Sequence, residues 1–154
     1  MTRSSALALA LLPLGTALVA ATPAGVSRHT ATITVTATDL RNAKGMVLAC
    51  LTSEEANFPK CRGVPGVRGA KARAIEGSVK LTFTDVPAGR YAIAILHDEN
   101  ANGKADRMLG MMPKEGFGFS RDAKVRMGPP EFGDAAFDVG TADKSMAIKV
   151  RYML

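Results

Sequence analysis

Residues 78–96 read S-V-K-L-T-F-T-D-V-P-A-G-R-Y-A-I-A-I-L, and they decide the fold class. Over residues 78–84 the apolar side chains fall on alternate positions, Val79, Leu81 and Phe83, with Lys80 and Thr82 between them. Successive side chains of an extended chain point to opposite faces, so this period of two predicts a half-buried strand. Residues 85–90 follow as a tight turn, with Pro87 fixing φ and Gly89 supplying freedom. Residues 91–96 are apolar throughout, the pattern of a strand covered on both faces.

The same reading extends in both directions. Residues 30–38, T-A-T-I-T-V-T-A-T, set Ile33, Val35 and Ala37 against Thr32, Thr34 and Thr36, a second half-buried strand. A turn at 39–45 leads to a more apolar strand at 46–52, and a hairpin is the simplest link between the two. Near the end, Met146, Ile148, Val150 and Tyr152 alternate along one face. Weaker extended segments fall at 125–127 and 132–139, and residues 97–121 are predicted to form a long irregular loop rich in glycine. In the 53–69 stretch, Ser53 is placed to cap a short helical turn. With no long amphipathic helical pattern, the expectation is an all-β chain: an antiparallel β-sandwich of about seven strands over residues 30–154.

The start of the chain stands outside that domain. Arg3 gives a positive beginning, residues 6–18 form an apolar Ala/Leu run broken by Pro13 and Gly15, and small residues follow at 19–21. This is the pattern of a secretory signal over residues 1–21, too short and too broken for a membrane span. Residues 22–29 are expected to be a disordered start of the mature chain, and the protein to be exported, periplasmic or secreted. Cys50 and Cys61 then read as a structural disulfide, because an even cysteine count in an oxidising compartment pairs.

The formal net charge is +6 and stays basic without Arg3. Lys60, Arg62, Arg68, Lys71 and Arg73 form a run of one sign, a candidate surface for an anionic partner or, more plainly, a solvated loop. Aromatic residues make up 5% of the chain and tryptophan is absent, which argues against a stacking platform for nucleic acid.

One motif carries possible chemistry. Residues 98–106, D-E-N-A-N-G-K-A-D, match the first nine positions of an EF-hand calcium loop. Asp98, Asn100 and Asn102 supply oxygens at alternate positions, Gly103 allows the sharp bend, Lys104 offers its carbonyl, and Asp106 reaches the ion directly or through water. The twelfth position is Leu109 where a bidentate carboxylate belongs, so Glu115 or Glu99 would have to replace it and affinity would be weak. The competing reading is a polar turn that bonds to its own backbone. Met108, Met111 and Met112, with His97 upstream, are a softer donor set suited to Cu(I), or else ordinary gap-fillers. Enzyme motifs are missing; His97-Asp98 is the one acid–base candidate, and Ser120 has no evident base. Phe117 and Phe119, separated by Gly118, are expected on one side of the chain, anchored in a core, with contact to a partner as the alternative.

Three stretches carry a family resemblance: F-T-D-V-P-A-G-R-Y-A at 83–92 running into H-D-E-N-A-N-G-K at 97–104, P-K-E-G-F-G-F-S at 113–120, and G-P-P with F-G-D-A at 128–135. Together they resemble the bacterial family catalogued as domain of unknown function 2141. That resemblance implies an exported protein with an immunoglobulin- or transthyretin-like sandwich, and no particular activity. The methionines at 108, 111 and 112 and the cysteine pair depart from the pattern. The functional expectation is a non-enzymatic binding or structural module using its long loop, stiffened by calcium, toward an unknown protein or envelope component. The alternative is a basic envelope-associated protein that grips an anionic surface through 60–73, with no transmembrane segment once the signal is removed.

Overall fold

The computed structural model describes residues 30–108 and 112–153; the signal expected at 1–21, the segment 22–29, Leu109 and Met111 lie outside the described residues. In chain order the strands are β1 (Thr30–Leu40), β2 (Met46–Thr52), β3 (Arg68–Arg73), β4 (Gly77–Pro87), β5 (Gly89–Asp98), β6 (Arg107–Met108), β7 (Met112–Pro113), β8 (Gly116–Phe119), β9 (Phe137–Val139) and β10 (Lys144–Lys149). A one-turn helix α1 (Phe132–Ala135) precedes β9, and single 3-10 turns occupy Glu55–Asn57 and Ser120–Asp122.

The strands form two layers. One sheet has the order β10-β1-β4, the other β3-β2-β5-β8 with β9 also on β5, and β6 and β7 make a separate small pair. Side chains at 33, 35, 37, 79, 81, 83 and 148 from the first sheet meet Val47, Leu51, Ile93 and Ile95 from the second in one continuous core. Every one of those positions is buried, so the alternation read from the sequence selects the inward face correctly. Burying each Val, Leu, Ile or Phe side chain is worth about 1.5–3 kcal/mol, which makes this interface the main source of stability.

Several expectations change. The pairing is not wholly antiparallel: β1 and β10 run parallel, Ile33 opposite Lys144 through Thr38 opposite Lys149. The two strands lie at opposite ends of the chain, so no tight turn forces them to oppose each other. The hairpin expected between β1 and β2 does not form; β1 pairs with β4 and β10, and the 39–45 turn carries the chain from one sheet to the other. The 97–121 segment is far less irregular than predicted, because β5 runs on to Asp98 and β8 pairs with it. Residues 125–127 form no strand, and residues 132–135 are helical. Ser53 caps nothing: the 3-10 turn begins after Glu54 without a side-chain cap, and Thr52 Oγ1 accepts the Glu54 N–H instead. Part of the basic 60–73 stretch, from Arg68 on, is strand β3 and not loop.

The sequence G-F-G-F in β8 has a direct steric reason. Gly116 and Gly118 face inward, where β8 comes close to the C-terminal segment. A Cβ on Gly118 would lie 2.7 Å from the Lys149 carbonyl oxygen and 2.9 Å from Ile148 Cγ2, and one on Gly116 would run into the Tyr152 ring. The phenylalanines therefore point to the opposite side, the outer face of the five-stranded sheet.

Candidate functional site

Register places two cross-strand rows on that outer face. Lys71, Leu48, Leu96 and Phe117 stand side by side across β3, β2, β5 and β8; Gly69, Cys50, Ala94 and Phe119 form the next row. Partners in register share a face, so these side chains make one surface. Part of it is covered by a satellite core in which Phe119, Phe132, Ala92, Ala123, Ala135 and Ala136 are buried, with Phe58 against them. Phe58 meets Phe119 and Phe132 edge to face, with centroids 5.8 and 6.0 Å apart. Ser120 fastens α1 to this sheet: its hydroxyl donates to the Ala135 carbonyl at 2.6 Å and accepts the Ile93 N–H at 2.9 Å.

The rest of the outer face stays open as a groove of about 970 Å³. Its floor is Gly69 of β3, Leu48 of β2, Ala94 and Leu96 of β5, and Phe117 of β8. One wall is the 59–62 segment, held over the sheet by Cys50 and Cys61, whose sulfurs lie at bonding distance with Cα atoms 6.1 Å apart. The other wall is the 103–107 segment. The Arg62 guanidinium donates to the Gly103 carbonyl and ties the two walls together. Beyond Arg107 and Phe117 a second hollow of about 580 Å³ continues over Val125, Met127 and Met153.

The basic residues expected at 60–73 divide. Lys60, Arg62 and Lys71 line the groove, joined by Lys104 and Arg107. Arg68 turns away and donates to the Thr84 carbonyl at 3.2 Å. Arg73 sits in the row opposite Met46, beyond the groove lining.

The 98–106 loop is drawn together by bonds to itself. Asp98 is buried, and its two carboxylate oxygens accept the N–H groups of Asn102 at 3.1 Å and Gly103 at 2.6 Å. Asn100 Oδ1 also accepts from Asn102 N–H, and Asn102 Oδ1 accepts from Lys104 N–H. Both asparagine amides donate to Asp106 Oδ2, at 2.7 and 3.0 Å. Glu115, brought in by the turn before β8, accepts the Glu99 N–H at 3.1 Å and the Asp106 N–H at 3.0 Å. Burial is the main cause that raises the Glu115 carboxyl above its ordinary range, and the nearby Asp98 and Asp106 charges add to it. Among the described residues no three His, Cys, Asp or Glu side chains gather in the manner of a metal centre.

Glu99 does not face this loop. Arg41 donates to it from Nε at 3.0 Å and from a terminal nitrogen at 2.5 Å, and Asn42 adds a bond at 2.6 Å. The Arg41 bond is the chief reason the Glu99 carboxyl is held below its ordinary range. His97 is fully buried, with one ring nitrogen 2.6 Å from the Tyr152 hydroxyl and the other 2.9 Å from the Lys44 carbonyl. Both nitrogens are thereby engaged, and the ring ties β5 to the 39–45 turn and to the C-terminal segment. Met108 is exposed on β6 whereas His97 is fully buried; Met111 lies outside the described residues.

The groove itself escaped the reading of the sequence, because its floor takes one or two residues from each of four strands. The doubly apolar β5 and the alternating G-F-G-F were its only local signals. By fold, this is a two-sheet, all-β sandwich domain with one sheet face half covered and half open, and no helix among its described residues is long and apolar enough to cross a membrane. A family model matches residues 35–147, well over half of the chain, and the chain belongs to that family: uncharacterised proteins conserved in bacteria, domain of unknown function 2141. No curated protein and no solved structure matches it.

Proposed function

We propose that this protein is an exported, non-enzymatic binding module that takes its partner on the open half of the outer sheet face. The observation that carries the reading is the groove: an apolar floor between two walls, of the volume typical of ligand sites, about 300–1,000 Å³. Export is supported by the leader pattern at 1–21 and by the cysteine pair in the groove wall. The test uses the uncharged fluorophore N-phenylnaphthylamine. Wild type should enhance its emission saturably, and Gly69→Leu, which fills open space on the floor, should abolish the signal without lowering the melting temperature. Equal enhancement in both proteins refutes the reading. The alternative, an anionic surface gripped through 60–73, needs the cations and not the floor, so it predicts salt-sensitive binding that Gly69→Leu leaves intact.

Calcium across the 98–106 loop is a second reading, favoured by one observation: the Glu115 carboxylate, held on the Glu99 and Asp106 N–H groups, lies near enough to Asp98 and Asp106 to feel their charges, although the three do not gather as a metal centre. Both Asp98 oxygens, Asn100 Oδ1, Asn102 Oδ1 and Asp106 Oδ2 already accept an N–H, so a cation would use their remaining lone pairs and bind weakly. Millimolar calcium should raise the melting temperature of wild type and not of Glu115→Gln. No shift in wild type ends this reading.

A further inference from the structure

We infer that the groove takes a single-chain anionic amphiphile, a long-chain carboxylate lying along the apolar floor with its headgroup among the basic side chains of the rim. This rests on the reading of the groove as a binding surface and names its ligand class. The groove lining contains five cationic side chains, Lys60, Arg62, Lys71, Lys104 and Arg107, and not one Asp or Glu. None of the five stands in an ion pair among the described residues. In a protein with 14 acidic residues, a lining of one sign leaves a positive field over an uncharged floor.

The floor selects the rest of the ligand. Leu48, Ala94, Leu96 and Phe117 offer no hydrogen-bond donor or acceptor, and the backbone groups of β2 and β5 are used within the sheet. A peptide laid there would leave its own N–H and C=O groups unpaired against apolar side chains, whereas an acyl chain has none to satisfy. Length agrees as well. The floor crosses four strands, about 14 Å at the usual interstrand spacing. It then continues past Phe117 to the second hollow, where Met127 is fully exposed and Met153 half exposed; Asp106 and Glu115 also line that hollow, which leaves the Lys71 end as the place for an anionic headgroup. Methionine suits a flexible hydrocarbon, since its unbranched side chain repacks readily. A headgroup near Lys71 and Lys104 with a chain directed over Leu96 and Phe117 toward Met127 uses both hollows at once.

The experiment displaces N-phenylnaphthylamine from the full mature protein with dodecanoate below its micelle concentration. Dodecanol and dodecyltrimethylammonium serve as neutral and cationic controls. Dodecanoate should compete at least about tenfold better than dodecanol, and the cationic analogue should not compete. Lys71→Glu with Lys104→Glu should remove the preference for dodecanoate while the fluorophore still binds, which separates loss of the headgroup site from loss of the groove. Fluorophore binding with no preference among the three amphiphiles overturns this inference and leaves the groove standing. No fluorophore binding removes both. Phosphatidylglycerol vesicles form the last arm: if the protein binds them as strongly after Gly69→Leu, and free dodecanoate does not compete, the cations serve a membrane surface and the inference fails.

Discussion

Replacing Gly118 by alanine tests the packing that turns the two phenylalanines outward. The added methyl would lie 2.7 Å from the Lys149 carbonyl oxygen and 2.9 Å from Ile148 Cγ2. Carbon atoms prefer about 3.5 Å or more, so the side-chain contact alone is roughly 0.6 Å too short. Ile148 is fully buried and has little room to rotate, and the carbonyl oxygen moves only with its backbone. Relief requires β8 to separate from the C-terminal segment, which strains the Phe117–Arg151 bridge of 3.0 and 2.8 Å hydrogen bonds. Overpacking of this kind costs about 1–3 kcal/mol, and a rigid backbone partner argues for the upper half of that range. For a domain of this size the melting temperature should fall by about 8–12 °C. Gly69→Ala is the control, because a Cβ there meets nothing within 4 Å. Scanning calorimetry of the two variants decides the matter. If Gly118→Ala melts within about 2 °C of Gly69→Ala, β8 does not lie against the C-terminal segment and the outward placement of Phe117 loses its cause.

Three further outcomes are expected. Removing both sulfurs, Cys50→Ala with Cys61→Ala, should cost about 3 kcal/mol for a loop this short, and should weaken fluorophore binding because one groove wall is released; an unchanged melting curve refutes the pairing. Gly45→Ala should destabilise strongly, since φ is +66° there and the new methyl would collide with the Asp98 carbonyl; urea titration measures it, and a midpoint equal to wild type contradicts the placement of the 39–45 turn. The two glutamates should oppose each other in pH. Glu99, held low by Arg41, contributes stability above its ordinary value that is lost as pH falls through its folded value. Glu115, raised by burial, binds its proton more tightly folded than unfolded, so stability declines as pH rises from the ordinary glutamate value through the folded one. Glu115→Gln should remove that decline and Glu99→Gln the acid loss; melts across the carboxylate range with identical profiles for all three proteins refute both assignments.

How much of this was legible depended on distance along the chain. Alternation in 30–38, 78–84 and 146–152 fixed which side chains face inward, because face selection is a property of one strand alone. It did not fix neighbours. An alternating strand satisfies its apolar face equally well beside β2 or beside β10, so the sheet order and the parallel β1–β10 pair could not be read from it. The polar motif at 98–106 was recognisable, and its spacing does gather Asp98, Asn100, Asn102 and Asp106. Whether their oxygens serve an ion or their own amides turns on geometry that composition leaves open. Asp98 shows the second use, with both oxygens on backbone N–H groups. The basic stretch at 60–73 was legible only as charge. Its division follows from placement in space: the Cys50–Cys61 bond holds Lys60 and Arg62 over the sheet, β3 sets Lys71 beside Leu48, and Arg68 and Arg73 lie outside the lining.

The basic rim has a competing explanation that needs no ligand. Charged residues beside an exposed apolar sheet face discourage self-association, and lysine is well suited to that protective role. Leu48, Leu96 and Phe117 are only half covered, so some such protection is required of any monomer carrying this face. Protection and recognition differ in their dependence on sign. Repulsion between copies works as well with carboxylates as with ammonium groups, whereas recognition of a carboxylate headgroup reverses. Lys71→Glu with Lys104→Glu leaves Lys60, Arg62 and Arg107 beside two carboxylates, so a protective rim loses most of its repulsion and the protein self-associates, while the response to dodecanoate, dodecanol and dodecyltrimethylammonium keeps its wild-type order. A recognition rim gives a monodisperse protein with the order shifted toward the cationic analogue. Light scattering and displacement measured on one sample separate the two, and an unshifted order assigns these cations to solubility alone.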